Sequence, residues 1–225
     1  MRALSDTDTL SIDRGNLMGN KRILVLMLLL SLSISGLYAM HFDYNENLSN
    51  ASDVTLAMTM ATPGLLVFVA PVSDYLAIGG SYVSTMGTSY GVRTVLKQTI
   101  HRERPYINES PLPEGVDPSE YYDSFPSGHT LMAFASAAYT QTITSLWYPN
   151  SQVMKATSIA AWSLATATAV LRVASGNHYP TDVLAGAAIG GALGFLGPYL
   201  TNKLFPQDDS VQILAGPMVG IGVTF

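Results

Sequence analysis

The chain has 225 residues, enough for one domain with a sizeable core. Hydrophobic residues make up 48% and charged residues 12%, half of the roughly 25% usual in soluble domains, which excludes disorder as a description of the whole. A net charge of −5 argues against a nucleic-acid binder, and the lack of cysteine excludes disulfides, thiolate metal sites and cysteine nucleophiles.

Residues 23–39 form a short apolar stretch behind Lys21 and Arg22. Its basic flank, small residues and closing Ala39 fit a signal peptide. Seventeen residues also sit at the lower limit for a first transmembrane helix. Either reading exports the chain, because the basic pair stays on the cytoplasmic side. Residues 1–39 are therefore read as a signal peptide or first transmembrane segment, 40–205 as the functional domain, and 206–225 as a tail.

A polar loop, 40–53, follows. Then come five runs with no charged side chain: 54–73, 75–92, 130–154, 156–171 and 183–202. Alternation of period two is scarce in them, so they predict helices and an all-α fold. The expected architecture is a compact bundle of five core helices, six if the amino-terminal segment is retained, with an active site at one end. Residues 54–73 and 183–202 are apolar enough to cross a bilayer. Residues 75–92 and 130–148 carry many Ser, Thr, Gly and Tyr and read as buried helices, although small residues also suit close packing in lipid. The tail 211–225 alternates weakly around glycines, as a strand or a loose end.

Charge gathers at the helix junctions. Of eleven Lys and Arg, four lie within twelve residues: Arg93, Lys97, Arg102 and Arg104. Lys97 and Arg104 stand seven apart, two helical turns, and are expected on one helix face with Pro105 ending that helix. Two fixed cations there suit an oxyanion such as phosphate. Arg93 stands one turn before Lys97 and reads equally as a neighbour of it or as a surface charge; His101 and Arg102 read as solvent-facing. The next loop, 106–125, holds Glu109, Glu114, Asp117, Glu120 and Asp123 and no basic residue. It is expected to cover the mouth of the site.

Phe125-Pro126-Ser127-Gly128-His129-Thr130 then opens an uncharged helical run. Amides at a helix start point at anions. Gly128 lets a ligand approach the main chain, the Ser127 hydroxyl can donate to it, and His129 can move a proton near neutral pH. The third junction runs from Arg172 through His178 to Asp182. Pro180 suits the first turn of a helix, and Asp182 is within reach of His178 across that turn. A carboxylate on one imidazole nitrogen would make the other a better nucleophile.

These residues closely resemble the type 2 phosphatidic acid phosphatase / vanadium haloperoxidase superfamily. Its signature has three parts: Lys-x6-Arg-Pro, Pro-Ser-Gly-His and Ser-Arg-x5-His-x3-Asp. Here they are Lys97 to Arg104-Pro105, Pro126-Ser127-Gly128-His129, and Arg172 to His178 to Asp182. One position departs, Leu171 standing where the family usually has Ser; the family's chemistry is not assigned to that Ser. The resemblance covers about 53–203.

The resemblance implies a metal-independent phosphatase acting on a lipid phosphate, a pyrophosphate or a small organic ester through a phosphohistidine. His178 would attack phosphorus, Asp182 would orient and activate it, and His129 would protonate the leaving oxygen. Lys97, Arg104, Arg172, the Ser127 hydroxyl and the Gly128 amide would hold the phosphate oxygens. No cofactor is expected, although vanadate could occupy the site as a phosphate mimic. The alternatives are a phosphotransferase with the same intermediate, a vanadate-dependent haloperoxidase and a non-catalytic envelope protein. Membrane association and a bacterial envelope location follow from the resemblance and the apolar runs. The active site would face the periplasm, either after signal cleavage or from an integral inner-membrane bundle.

Overall fold

The computed structural model describes residues 43–108, 111–114, 116–204, 211–215 and 219–223. The apolar segment 23–39 lies outside them. Among the described residues, five long helices carry the fold: α1 (Glu46–Ala61), α2 (Tyr75–Thr99), α3 (Gly128–Trp147), α4 (Gln152–Ala174) and α5 (Pro180–Leu204). The bundle is all-α, as its period predicts. A terminal hairpin follows, β1 (Val211–Ala215) antiparallel to β2 (Val219–Val223), with Val211 opposite Val223 and Ala215 opposite Val219.

The first run differs from its expected bounds at both ends. α1 begins eight residues earlier than the uncharged run, inside the stretch read as a polar loop. Asn45 explains this: its side chain accepts from the Leu48 amide, capping the helix, and Glu46 complements the first-turn dipole. The run also does not continue as one helix to 73, because Pro63 turns it into 3₁₀ geometry over Thr62–Phe68, followed by a second such turn at Val72–Asp74.

α3 has 13 of its 20 residues buried and packs against all four other helices, so it is the axis of the bundle. Its polar positions are tolerated because their hydroxyls are satisfied locally. Thr140, Thr142 and Thr144 each donate to the carbonyl one turn back, and the hydroxyls of Tyr139 and Ser81 lie 2.7 Å apart. One core cluster joins Leu66, Ile78, Tyr139, Ile143 and Met154; another joins Ala133, Ala137, Ala161 and Ala165.

Against α5 the contact is main chain on main chain. A methyl group built on Gly186, Gly190 or Gly194 would meet the carbonyl oxygens of Ser127, Leu131 and Ala135 at 2.6, 2.1 and 2.1 Å. Glycine at every fourth position is what allows this approach.

The outer faces are apolar. Val83, Tyr90, Ile159, Val170, Leu184 and Phe195 are all more than half exposed. Among the described residues, three helical segments are long and apolar enough to cross a membrane: Glu46–Phe68, Gln152–Ala174 and Pro180–Leu204.

Candidate active site

The amino-terminal ends of α1, α3 and α5 meet the carboxy-terminal ends of α2 and α4 at one end of the bundle, and the three motifs meet there. Lys97, Arg104, Ser127, Arg172, His178 and Asp182 are each at most 6% exposed. Burying that many ionisable groups is costly unless they are paired or meet a counter-charge.

Lys97 stands in the last turn of α2 and donates to the Asp123 carbonyl at 2.6 Å. Arg104 does not share its helix. α2 ends at Thr99, and the chain then runs extended: the amides of Arg102 and Arg104 donate to the carbonyls of Tyr122 and Tyr121, and the Ser124 amide donates to the Arg102 carbonyl. This pairing consumes the main-chain groups that continuing the helix to Arg104 would need. Arg104 nevertheless comes close to Lys97 through the loop. Burial first, then Arg104 and Arg93, pull the Lys97 pKa down to about 8.

Arg104 donates to Asn177 Oδ1 at 3.2 Å and pairs with Glu120 at 2.7 Å. Arg172 donates to the hydroxyls of Ser49 and Ser52, both at 3.2 Å. The Nε atoms of Arg104 and Arg172 are buried donors with no acceptor among the described residues.

Ser127 is the N-cap of α3, but its hydroxyl accepts from no helix amide; it shares a 3.0 Å hydrogen bond with the Thr130 hydroxyl in the first turn. A methyl group on Gly128 would meet Arg93 Nε at 2.3 Å, so Arg93 lies across the start of α3. Arg93 thus stands beside Gly128 and near Lys97. His129, next along, faces Asp53 of α1, with Nε2 2.8 Å from Oδ1. Asp53 also stands 4.0 Å from Arg172. Burial, followed by Arg172, Arg104, Arg93 and Lys97, pushes the His129 pKa down to about 3. Asp53 was missed by sequence reasoning because it lies outside the three motifs, in a stretch read as loop.

His178 is wholly enclosed, and burial together with Arg104, Arg172 and Lys97 holds its pKa well below the usual histidine range. Its ring is therefore neutral. The Asp182 contact differs from the expected one. Oδ2 lies 3.8 Å from His178 Nδ1, beyond hydrogen-bond distance. Nδ1 instead stands 2.8 Å from the Ser124 main-chain carbonyl, which can only accept. Nδ1 thus carries the proton, and Nε2 keeps its lone pair. The Asp182 carboxylate accepts from the Ser124 hydroxyl, the Tyr179 amide and Arg102. Arg102 is accordingly part of this network, not a solvent-facing charge.

Such an arrangement offers a neutral imidazole nitrogen beside three buried cations, with a second imidazole nearby. It can bind an oxyanion, attack it and move one proton. No cluster of three or more His, Asp and Glu arranged for a metal occurs among the described residues.

Residues 78–206 match the PAP2 superfamily. An 83-residue stretch, 37% of the chain, is 36% identical to the lipid A 1-phosphatase of Porphyromonas gingivalis; it spans 17% of that protein's length. The fold is similar to that of the transmembrane PAP2-type phosphatidylglycerolphosphate phosphatase from Bacillus subtilis. That likeness has a TM-score of 0.52 and 24% identity over 73% of this chain and 79% of the other. Aquifex aeolicus LpxE aligns over 65% of this chain and 85% of its own, with a TM-score of 0.41 and 26% identity.

Proposed function

Because the chain belongs to the PAP2 superfamily, we propose that it is an integral-membrane phosphatase of lipid-linked phosphate esters, working through a phosphohistidine at His178. The observation that carries the reading is the pair of buried Nε donors on Arg104 and Arg172, without an acceptor among the described residues, beside a neutral His178. Buried guanidinium donors call for an anion, and a planar fork suits phosphate oxygens.

In this reading Lys97, Arg104, Arg172, the Ser127 hydroxyl and the Gly128 amide hold the non-bridging oxygens and stabilise the charge that spreads over them in the transition state. The Nε2 lone pair of His178 forms the new bond to phosphorus as the ester P–O bond breaks. The leaving oxygen takes a proton from His129. Water then attacks the phosphohistidine, His129 takes a proton from that water, and the P–N electron pair returns to Nε2. His129 must hold a proton when the ester bond breaks. A bound phosphate dianion offsets the surrounding cations and raises its proton affinity, and Asp53 acts in the same direction.

Lipid-linked substrates are supported by the exposed apolar faces, the three membrane-competent segments and the named activity of the P. gingivalis relative. With the uncharged helix cores in the bilayer, all five site-bearing helix ends lie together at one surface. Taking residues 23–39 as a leader or first span puts that surface on the periplasmic side.

The test is phosphate release by the purified full chain in detergent with EDTA, from an aryl phosphate and from a long-chain lipid phosphate. The expected result is release from the lipid substrate that is lost in His178→Ala. Release that survives this substitution would refute the assignment of the nucleophile.

A further inference from the structure

We propose that Ser124 is a positioning residue through which Asp182 acts on His178; the proposal rests on the phosphatase reading above. Ser124 lies outside the three motifs, two residues before Pro126, and is fully buried.

All three of its polar groups are committed, each to a different part of the site. Its amide donates to the Arg102 carbonyl at 3.0 Å. Its carbonyl accepts the Nδ1 proton of His178 at 2.8 Å. Its hydroxyl donates to Asp182 Oδ2 at 2.6 Å, short enough for a charge-assisted bond. The second carboxylate oxygen accepts from Arg102, whose guanidinium also bonds the Thr181 hydroxyl at 2.7 Å and lies 4.2 Å above the Tyr179 ring. A closed circuit results. Arg102 holds Ser124 by main chain and Asp182 by side chain, and Ser124 joins both to the nucleophile.

The chemistry follows from which atom faces the ring. When Nε2 bonds to phosphorus, the imidazole becomes cationic and part of the charge falls on Nδ1–H. A main-chain carbonyl dipole at 2.8 Å stabilises that charge and cannot take the proton. The carboxylate adds its field from 3.8 Å. The Ser124 hydroxyl keeps Asp182 at this distance, so the carboxylate does not become the base for Nδ1. The ring tautomer is set by the carbonyl, which no side-chain substitution removes. Asp182 instead fixes where that carbonyl points.

Two consequences differ from those of a direct His–Asp pair. First, Asp182→Asn should leave the tautomer intact. Its kcat loss should fall well short of the ~10⁴-fold seen where an Asp sets the tautomer directly. Second, Ser124 and Asp182 should act as one unit.

The experiment is a double-mutant cycle on the full chain in detergent, with Ser124→Ala, Asp182→Asn and the pair, run on the substrate that His178→Ala abolishes. Inorganic phosphate inhibition serves as a check that each variant is folded with its cation site intact. Ser124→Ala is expected to lower kcat roughly 10- to 100-fold, the scale of a sub-ångström to 1 Å displacement. KM should stay within about threefold. Ser124→Thr, which keeps the hydroxyl, should recover most of the loss. The double variant should be no slower than the slower single variant. An unchanged kcat in Ser124→Ala, or two losses that multiply in the double variant, would overturn the proposal. If Ser124→Ala does not accumulate, Ser124→Thr and Ser124→Cys decide: similar activities in the two would refute it. Activity surviving in His178→Ala would be a separate failure, that of the phosphatase reading itself.

Discussion

The glycine seam between α3 and α5 supplies a direct test of how the site is held. Gly190 faces the Leu131 carbonyl so closely that an added methyl carbon would stand 2.1 Å from the oxygen. A close carbon-to-carbonyl contact needs about 3.3 Å, so Gly190→Ala leaves a shortfall of about 1.2 Å. Both surfaces are helix main chain, and no side chain can rotate away. The helices must part.

The displacement reaches the chemistry, because the seam begins at the site. Gly186 lies against Ser127, and the Ser127 amide donates to the Asp182 carbonyl at 3.0 Å. Overpacking of this kind costs roughly 1–3 kcal/mol, equivalent to about 2–12 °C in Tm for a domain of this size. A shift near 1 Å between His129 on α3 and His178 beside α5 should lower kcat up to about 100-fold. Gly191→Ala is the control: the same helix and the same chemical change, but nothing within 4 Å. It should be neutral or stabilising by up to about 1 kcal/mol, the usual Gly-to-Ala gain in a helix. Thermal unfolding by circular dichroism and phosphate release, both in detergent, measure the two effects. Equal Tm and equal kcat for the two alanine variants would refute the reasoning.

Two further predictions concern protonation. His129 has a pKa near 3 in the free site, so it is neutral at pH 6; an oxyanion that offsets its cationic neighbours must raise that value. Phosphate binding at pH 6 should therefore take up more protons in the wild type than in His129→Gln, as calorimetry in buffers of different ionisation heat would reveal; identical uptake would refute it. Lys97, with a pKa near 8, loses its charge as the pH rises from 7 to 9, so phosphate inhibition should weaken about tenfold by pH 9. Lys97→Arg should flatten that dependence, and an equally steep profile in the variant would show that another group titrates.

How far the site is legible in the chain depends on what each residue's role requires. Ser127, Gly128 and His129 are legible because a helix start is a local event, announced by Pro-Ser-Gly. Pro180 announces the start of α5 in the same way, and Asp182 falls in its first turn as expected. The closeness of Arg104 to Lys97 was legible by spacing, but its conformation was not. Its main chain pairs with Tyr121, a contact across the acidic loop that no helical period encodes. Asp53 was hidden by composition: Asn, Ser and acidic residues before it read as loop, whereas Asn45 caps a helix there. Arg102 sat among exposed-looking charges and proved to bond a carboxylate 80 positions away.

The chain by itself determined the all-α class, the five uncharged helical runs, the three motifs and their order at the helix junctions. Those are consequences of local chemistry: period, caps, turn residues and the scarcity of charge. Tertiary structure alone decided which atom faces which. The acceptor on His178 Nδ1 is a main-chain carbonyl, and a carbonyl leaves no mark in an amino-acid sequence because every residue has one. Its position comes from the main-chain packing of α3 on α5 and from the loop pairing that brings the Ser124 carbonyl to the Nδ1 edge of the ring.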